Sequence, residues 1–268
     1  PAIIFNSATW GQIDGIFTGL MLLALLLLLR GQAEWAVASY MAAFLIKPQA
    51  VSMAPLIGVF LLLRYPVRRW FTAALVGISL AFVIVLPFFG LRSFLGLYER
   101  LKQSVEVYPY TSLFTYNIWG MYGFWEDDTV RSSLGPTLRT IGTLLYGAGL
   151  IFGCGLFVRK LRQGGDDQQA VWWFATFFTF LPVMVLTRMH ERYLYPVLPL
   201  LLICVFCSEL HSTYRSVGRY LRSLSALAYG ALTALHTLNL YEVYIYYLYF
   251  DTGVPRTNRL FYFIDDNY

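Results

Sequence analysis

Apolar residues in this chain fall into eight runs separated by short polar punctuation, at 13–29, 35–46, 50–63, 71–89, 138–158, 170–186, 194–210 and 224–250. None alternates at period two, which sets aside barrel strands. The first run is long enough to span a bilayer, with Trp10 as its interfacial anchor. The second and third are parted by Lys47-Pro48-Gln49. At about 1.5 Å per residue the shorter of them covers only about 18 Å. They read as short spans lengthened by polar flanks, with Pro48 at the turn; a re-entrant pair is the other reading. The one long intervening segment is 90–136. Within it, apolar residues at 94, 95, 97, 98, 101 and 105 recur at helical spacing. That pattern predicts an amphipathic helix over 93–105 lying on the membrane. The pattern as a whole predicts an all-α, polytopic membrane helical bundle of about eight spans. It forms a single domain over 1–268, with one long outer loop at 90–136.

Composition agrees. The chain is 58% hydrophobic and 13% charged, with mean hydropathy +0.57, where soluble domains carry about 25% charged residues. Many of the 20 Tyr and 21 Phe lie near run ends, as interfacial belts do. The short loops at 30, 64–69, 159–162 and 215–222 hold ten basic residues, against three (Lys47, Arg188 and Arg192) in the opposite short loops. The positive-inside rule places the first group in the cytoplasm and Asp14, Lys47, the 90–136 loop and Arg188–Arg192 on the outer face. The net charge of +5 is therefore read as topology and contact with lipid phosphates, and no nucleic-acid partner is expected. Cys154, Cys204 and Cys207 all sit in apolar runs, with neither zinc-site spacing nor a disulfide framework. No soluble domain or internal repeat is evident. The chain opens at Pro1 without a signal peptide and ends on Asp265-Asp266-Asn267-Tyr268. It reads as a fragment lacking at least one N-terminal span and the first outer loop.

Chemistry gathers in one place. Residues 187–196 join two apolar runs, and two arginines, a histidine and a glutamate fall within five positions there. Ionisable groups at membrane depth are costly and usually mark a site. On a helix, Arg188 and Arg192 would share a face, with Glu191 three residues from Arg188. One reading is a self-neutralising ion-pair network. The other is a phosphate or pyrophosphate site, because guanidinium forks suit its oxygens and His190 can hydrogen-bond or protonate a leaving phosphate. Three further outer clusters are each open to two readings. Asp14, in Trp10-Gly11-Gln12-Ile13-Asp14, is a helix-terminal charge or a cavity-lining carboxylate. Lys47 in Lys47-Pro48-Gln49 is a snorkelling lysine or an ammonium set against a lipid phosphate. The segment 108–119 is interfacial packing or a sugar or lipid platform. His211 and His236 read as structural. There is no Walker motif, dinucleotide loop or HExxH, and no carboxylate pair at ligand spacing, so neither a cofactor nor a divalent metal is expected.

Four motifs in order, WGQxD at 10–14, KPQ at 47–49, YPYxSxFxYNxW at 108–119 and RMHERYLYP at 188–196, resemble bacterial membrane mannosyltransferases related to the GPI second-mannose transferase, of the C-type glycosyltransferase superfold. The similarity runs over most of the chain, and RMHERYLYP is its most specific part. The resemblance implies an integral multi-pass enzyme of the bacterial cytoplasmic membrane, with its active site on the outer face. It would move a hexose, mannose first, from a polyprenyl-phosphate donor to a hydroxyl of a glycan or lipid acceptor. Lys47, Arg188, His190 and Arg192 would bind the donor phosphate. Trp10, Gln12, Asp14, Gln49, Tyr110, Asn117 and Trp119 would line the sugar or acceptor cavity. The family's base is a carboxylate in the first outer loop, upstream of this chain. Asp14 and Glu191, with His190, are the catalytic candidates here. The competing classes are a polytopic transporter or lipid-linked-sugar flippase, which the Pro-broken runs at 35–63 would suit, and a non-catalytic lipid-binding subunit.

Overall fold

The structure, a computed structural model, describes residues 1–9, 11–133, 135–164, 166–207 and 215–252. Trp10 and His211 lie outside the described residues. The chain is mostly helical. A short α1 (Ala2–Ile4) runs through a π-helical turn, Phe5–Thr9, to α2 (Asp14–Leu29), α3 (Ala33–Ile46), α4 (Ala54–Arg64), α5 (Val67–Phe89) and α6 (Ser93–Glu106). A two-residue strand, β1 (Ser112–Leu113), precedes α7 (Leu138–Arg162) and α8 (Asp167–Val185). Then come β2 (Met189–His190), α9 (Val197–Cys207) and α10 (Arg215–Thr252).

Helices α2 and α3 form a hairpin turned at Gly31, whose φ of +78° is a conformation glycine enters without penalty. Phe17, Met21, Leu25 and Leu28 of α2 recur at three- and four-residue spacing. They pack with Leu56 and Phe60 of α4, Phe157 of α7 and Phe178 of α8 in the main core. Between the second and third apolar runs the chain makes a 3-10 helix, Pro48–Met53, before α4. Pro48 and Pro55 each stand near the start of a helical segment, where a missing N–H costs nothing.

Among the described residues, two helical stretches, Val67–Glu106 and Leu138–Arg162, are long and apolar enough to cross a membrane, and Asp14–Leu29, Ala33–Ile46 and Pro48–Arg64 are shorter apolar helices. The burial pattern of α5 is inverted relative to a water-facing helix. Its buried positions are Ala73, Gly77, Ala81 and Val85, while Phe71, Leu75, Ile78 and Val83 stand exposed. Small residues one turn apart let α5 approach α3 closely; a Cβ at Gly77 would lie 2.8 Å from Val37 Cγ1. The large side chains face outward, an arrangement suited to hydrocarbon. The predicted amphipathic helix is present as α6, reached from α5 through a 3-10 turn at Gly90–Arg92.

Residues 187–196 depart from the helical reading. Arg188 has φ +65°, Met189–His190 pairs in parallel with Ser112–Leu113, and Glu191–Leu194 is a 3-10 turn. Arg188 and Arg192 therefore do not share a helix face. The cause is non-local: the Arg188 N–H bonds to the Tyr110 carbonyl at 3.0 Å, and that tie to the long loop overrides local helix geometry.

Candidate functional site

The site is built on the C-terminal end of α8. The last carbonyls of a helix have no partner within it. Here the long loop supplies them all. Asn117 Nδ2 donates to the carbonyls of Val183 (3.0 Å) and Leu186 (3.4 Å). The Ile118 N–H donates to Met184 (3.4 Å) and Trp119 Nε1 to Val185 (2.8 Å). Asn117 Oδ1 in turn accepts from the N–H groups of Trp119 and Gly120 at 3.1 and 2.9 Å. Asn117 and Trp119, predicted as cavity residues, thus form the cap that aims residues 187–196.

Arg188 is the next tie. Its Nε and Nη2 donate to both oxygens of Asp128 at 2.7 and 2.9 Å, and Thr187 Oγ1 donates to the same carboxylate at 2.7 Å. Asp128 is fully buried. Nη1 of Arg188 reaches the Val105 carbonyl (2.7 Å) and Glu106 (3.0 Å) at the end of α6. Glu106 also accepts from Arg139 of α7 at 3.0 Å. Hydrogen bonds from Arg188 and Arg139 hold the Glu106 carboxyl below its ordinary range. The bond to Asp128 raises Arg188 above its own.

On the other wall, Lys47 at the end of α3 forms an ion pair with Asp14 at the start of α2. Asp14 is fully buried, and its second oxygen accepts from Asn6 Nδ2 at 3.0 Å. Asp14 therefore holds Lys47 in place. His190 lies between the rings of Tyr108 and Tyr193, with centroids 5.5 and 5.2 Å away. Glu191 sits behind it, 1% exposed, with Oε2 3.7 Å from His190 Nδ1 and Oε1 3.2 Å from Arg192 Nη1. Arg192 Cζ stands 5.9 Å from the Tyr193 ring. Burial raises the Tyr193 phenol, the neighbouring Arg192 opposing it.

These groups enclose a cavity of about 470 Å³, whose lining includes Lys47, Gln49, Tyr108, Arg139, Arg188, His190 and Tyr193. An apolar cavity of about 170 Å³ lies against it, between α2, α7 and α8, lined by Met21, Val51, Tyr146, Pro182, Val183 and Pro196 among others. Gln49, Leu186, Met189 and Tyr193 line both. The arrangement is a chamber with Lys47, Arg139 and Arg188 among its walls, beside an apolar slot. Such a pair of compartments fits an amphiphile with an anionic head. Among the described residues, no three His, Cys, Asp or Glu side chains gather to hold a metal ion.

Four of the predicted residues, Lys47, Gln49, Arg188 and His190, line the polar cavity. Asp14, Glu191 and Arg192 support it from behind. Gln12 and Tyr110 line neither compartment; the Tyr110 ring packs on Trp125 at 5.2 Å. Each predicted cation has an acidic partner: Lys47 with Asp14, Arg188 with Asp128 and Glu106, Arg192 with Glu191. Tyr108 comes from the 108–119 segment that the sequence singled out, whereas Tyr193, Arg139, Asp128, Glu106 and Asn6 are site or support residues to which the sequence reading gave no role. No protein-family model, no curated protein and no solved structure matches the chain.

Proposed function

We propose that the protein is a multi-pass membrane glycosyltransferase. In this reading it moves a hexose, mannose in the first instance, from a polyprenyl-phosphate donor to a hydroxyl of a lipid or glycan acceptor at the outer face of a bacterial cytoplasmic membrane. The observation that carries the reading is the pairing of compartments: a chamber of about 470 Å³ that holds Lys47, Arg139, Arg188 and His190, joined through Gln49, Leu186, Met189 and Tyr193 to an apolar slot. A lipid-linked donor needs its phosphate held by charge while its tail stays in hydrocarbon.

The chemistry divides among residues at the chamber. The acceptor oxygen bonds to the anomeric carbon as the bond from that carbon to the phosphate oxygen breaks. The phosphate leaves with the electron pair. Lys47 and Arg188 hold it, since positive charge at that oxygen stabilises what develops in the transition state. His190 lines the chamber and receives the hydroxyl proton, histidine being the side chain suited to that exchange near neutral pH. Glu191, 3.7 Å from His190 Nδ1, stabilises the imidazolium that forms. Asp14, the other carboxylate candidate, is occupied by Lys47 and Asn6 and takes the part of a clamp.

The test is binding of a fluorescent polyprenyl phosphate to the purified protein in nanodiscs. Wild type should bind, free prenol should compete poorly, and Met189→Trp, which fills the shared wall, should weaken binding at least tenfold. Equal competition by prenol and prenyl phosphate would remove the charged-chamber argument.

A further inference from the structure

We infer that the protein carries a second lipid site at the opposite end of the bundle, a cleft for the phosphate of an anionic phospholipid. The cleft lies between the last turns of α7 and the first turns of α8 and has a volume of about 330 Å³. Arg159, Lys160, Gln163 and Gln169 form its polar rim, and Leu156 and Phe174 belong to its apolar side. Trp173, 40% exposed, also lines it, and indoles favour the headgroup level of a bilayer.

Charge selects the occupant. Of the other arginines at this end, Arg64 donates to both oxygens of Asp167 at 2.6 and 2.7 Å, Arg69 pairs with Glu34 at 3.0 Å, and Arg162 is exposed but does not line the cleft. Among the described residues, Arg159 and Lys160 have no carboxylate partner, and both are exposed. The acidic groups at the start of α8 are directed elsewhere. Asp166 caps the helix through the N–H groups of Gln168 and Gln169, and Asp167 holds Arg64. Two cations with amide donors on either side suit phosphate oxygens. A zwitterionic headgroup would bring its own positive charge to the same rim, so an anionic lipid is favoured. The apolar side continues toward the exposed flanks of α7, where Phe152 and Leu156 stand bare, giving the acyl chains a surface.

The test uses the whole chain in vesicles and tryptophan quenching by lipids brominated on the acyl chain. Brominated phosphatidylglycerol should quench more strongly and at lower mole fraction than brominated phosphatidylcholine, and Trp173→Phe should abolish the difference. Arg159→Gln with Lys160→Gln should weaken the anionic preference about thirtyfold, and each alone about fivefold. Arg30→Gln, a control at the same end outside the cleft, should leave it unchanged. Equal quenching by both lipids, or a preference surviving in the double variant, overturns the inference. Loss of the preference on adding inorganic phosphate alone would make this a free-anion site. A dimer in detergent that the double variant dissociates would make it an interface between copies. The readout does not depend on glycosyl transfer, so this inference and the proposed function fail separately.

Discussion

Lys47→Met should be among the most damaging single changes at the site, and adding Asp14→Asn should undo most of the damage. Asp14 is fully buried, and its partners are Lys47 and the Asn6 amide. Removing the ammonium leaves a buried carboxylate with one neutral donor. Breaking a buried pair from one side costs about 3–5 kcal/mol, because a charge remains without compensation. The Asn6 bond at 3.0 Å stays, which sets the expectation near the lower figure, about 3 kcal/mol. For a chain of this size that is a fall in Tm of roughly 6–12 °C. In Asp14→Asn/Lys47→Met no charge is buried, and replacing a whole buried pair by neutral groups is often close to neutral. The double variant should therefore recover to within about 1 kcal/mol of wild type, a coupling far from additive. The assay is thermal unfolding of all four proteins in one detergent, followed by intrinsic fluorescence. An unchanged Tm for Lys47→Met, or additive losses in the double variant, would refute the clamp reading of Asp14 and return it to the list of free carboxylates.

Two further predictions follow from the long loop. Asn117→Ala removes the donor to the Val183 and Leu186 carbonyls and the acceptor for two N–H groups, so stability should fall by about 2–3 kcal/mol; denaturant unfolding should show a lowered midpoint, and a midpoint equal to wild type would mean the cap is not needed. The tether of α6 should be acid-sensitive. The Glu106 carboxyl is held below its ordinary value of 4.5, so its contribution is present above that value and is lost as pH falls through the depressed one. A spin label at Gln103→Cys should become more mobile over that acid range in wild type, and should be mobile at every pH in Glu106→Gln; a flat wild-type profile would contradict the tether.

What the sequence shows and what it hides divide along a physical line. The helices were legible because their signal is local. The 93–105 periodicity appears as α6, bounded Ser93–Glu106, and Lys47-Pro48-Gln49 marks a true break, although the break is a 3-10 segment of several residues and not a bare turn. Of the residues singled out at 187–192, Arg188 and His190 line one cavity with Lys47. What local pattern could not show is which partner wins. A four-residue spacing of arginines suggests a helix face, but the Arg188 side chain is claimed by Asp128, sixty residues earlier, and its backbone is left-handed where its N–H meets the Tyr110 carbonyl. Asn117 and Trp119 looked like a sugar platform because amides and indoles serve sugars and helix caps equally well. Asn6 and Arg139 carried no signal: each sits at the edge of an apolar segment, and only the fold sets it beside Asp14 or Glu106. In the sequence Asp128 is only the last of three consecutive acidic residues, Glu126-Asp127-Asp128, and nothing there marks the burial that makes it the anchor of Arg188.

The most direct test of the central claim is transfer itself. Full-length protein in lipid would be given radiolabelled polyprenyl-phosphate mannose with extracted membrane lipids as acceptor, and compared with His190→Ala and Lys47→Met/Asp14→Asn. Wild type should move label to a lipid or glycan product. His190→Ala should fold normally, as judged by Tm, and lose at least a hundredfold in rate, within the range for removing a proton-transfer group. The double variant should fold but bind donor weakly. Donor binding without transfer to any acceptor would contradict the enzyme reading and favour a carrier, and transfer by His190→Ala at the wild-type rate would remove His190 from the chemistry.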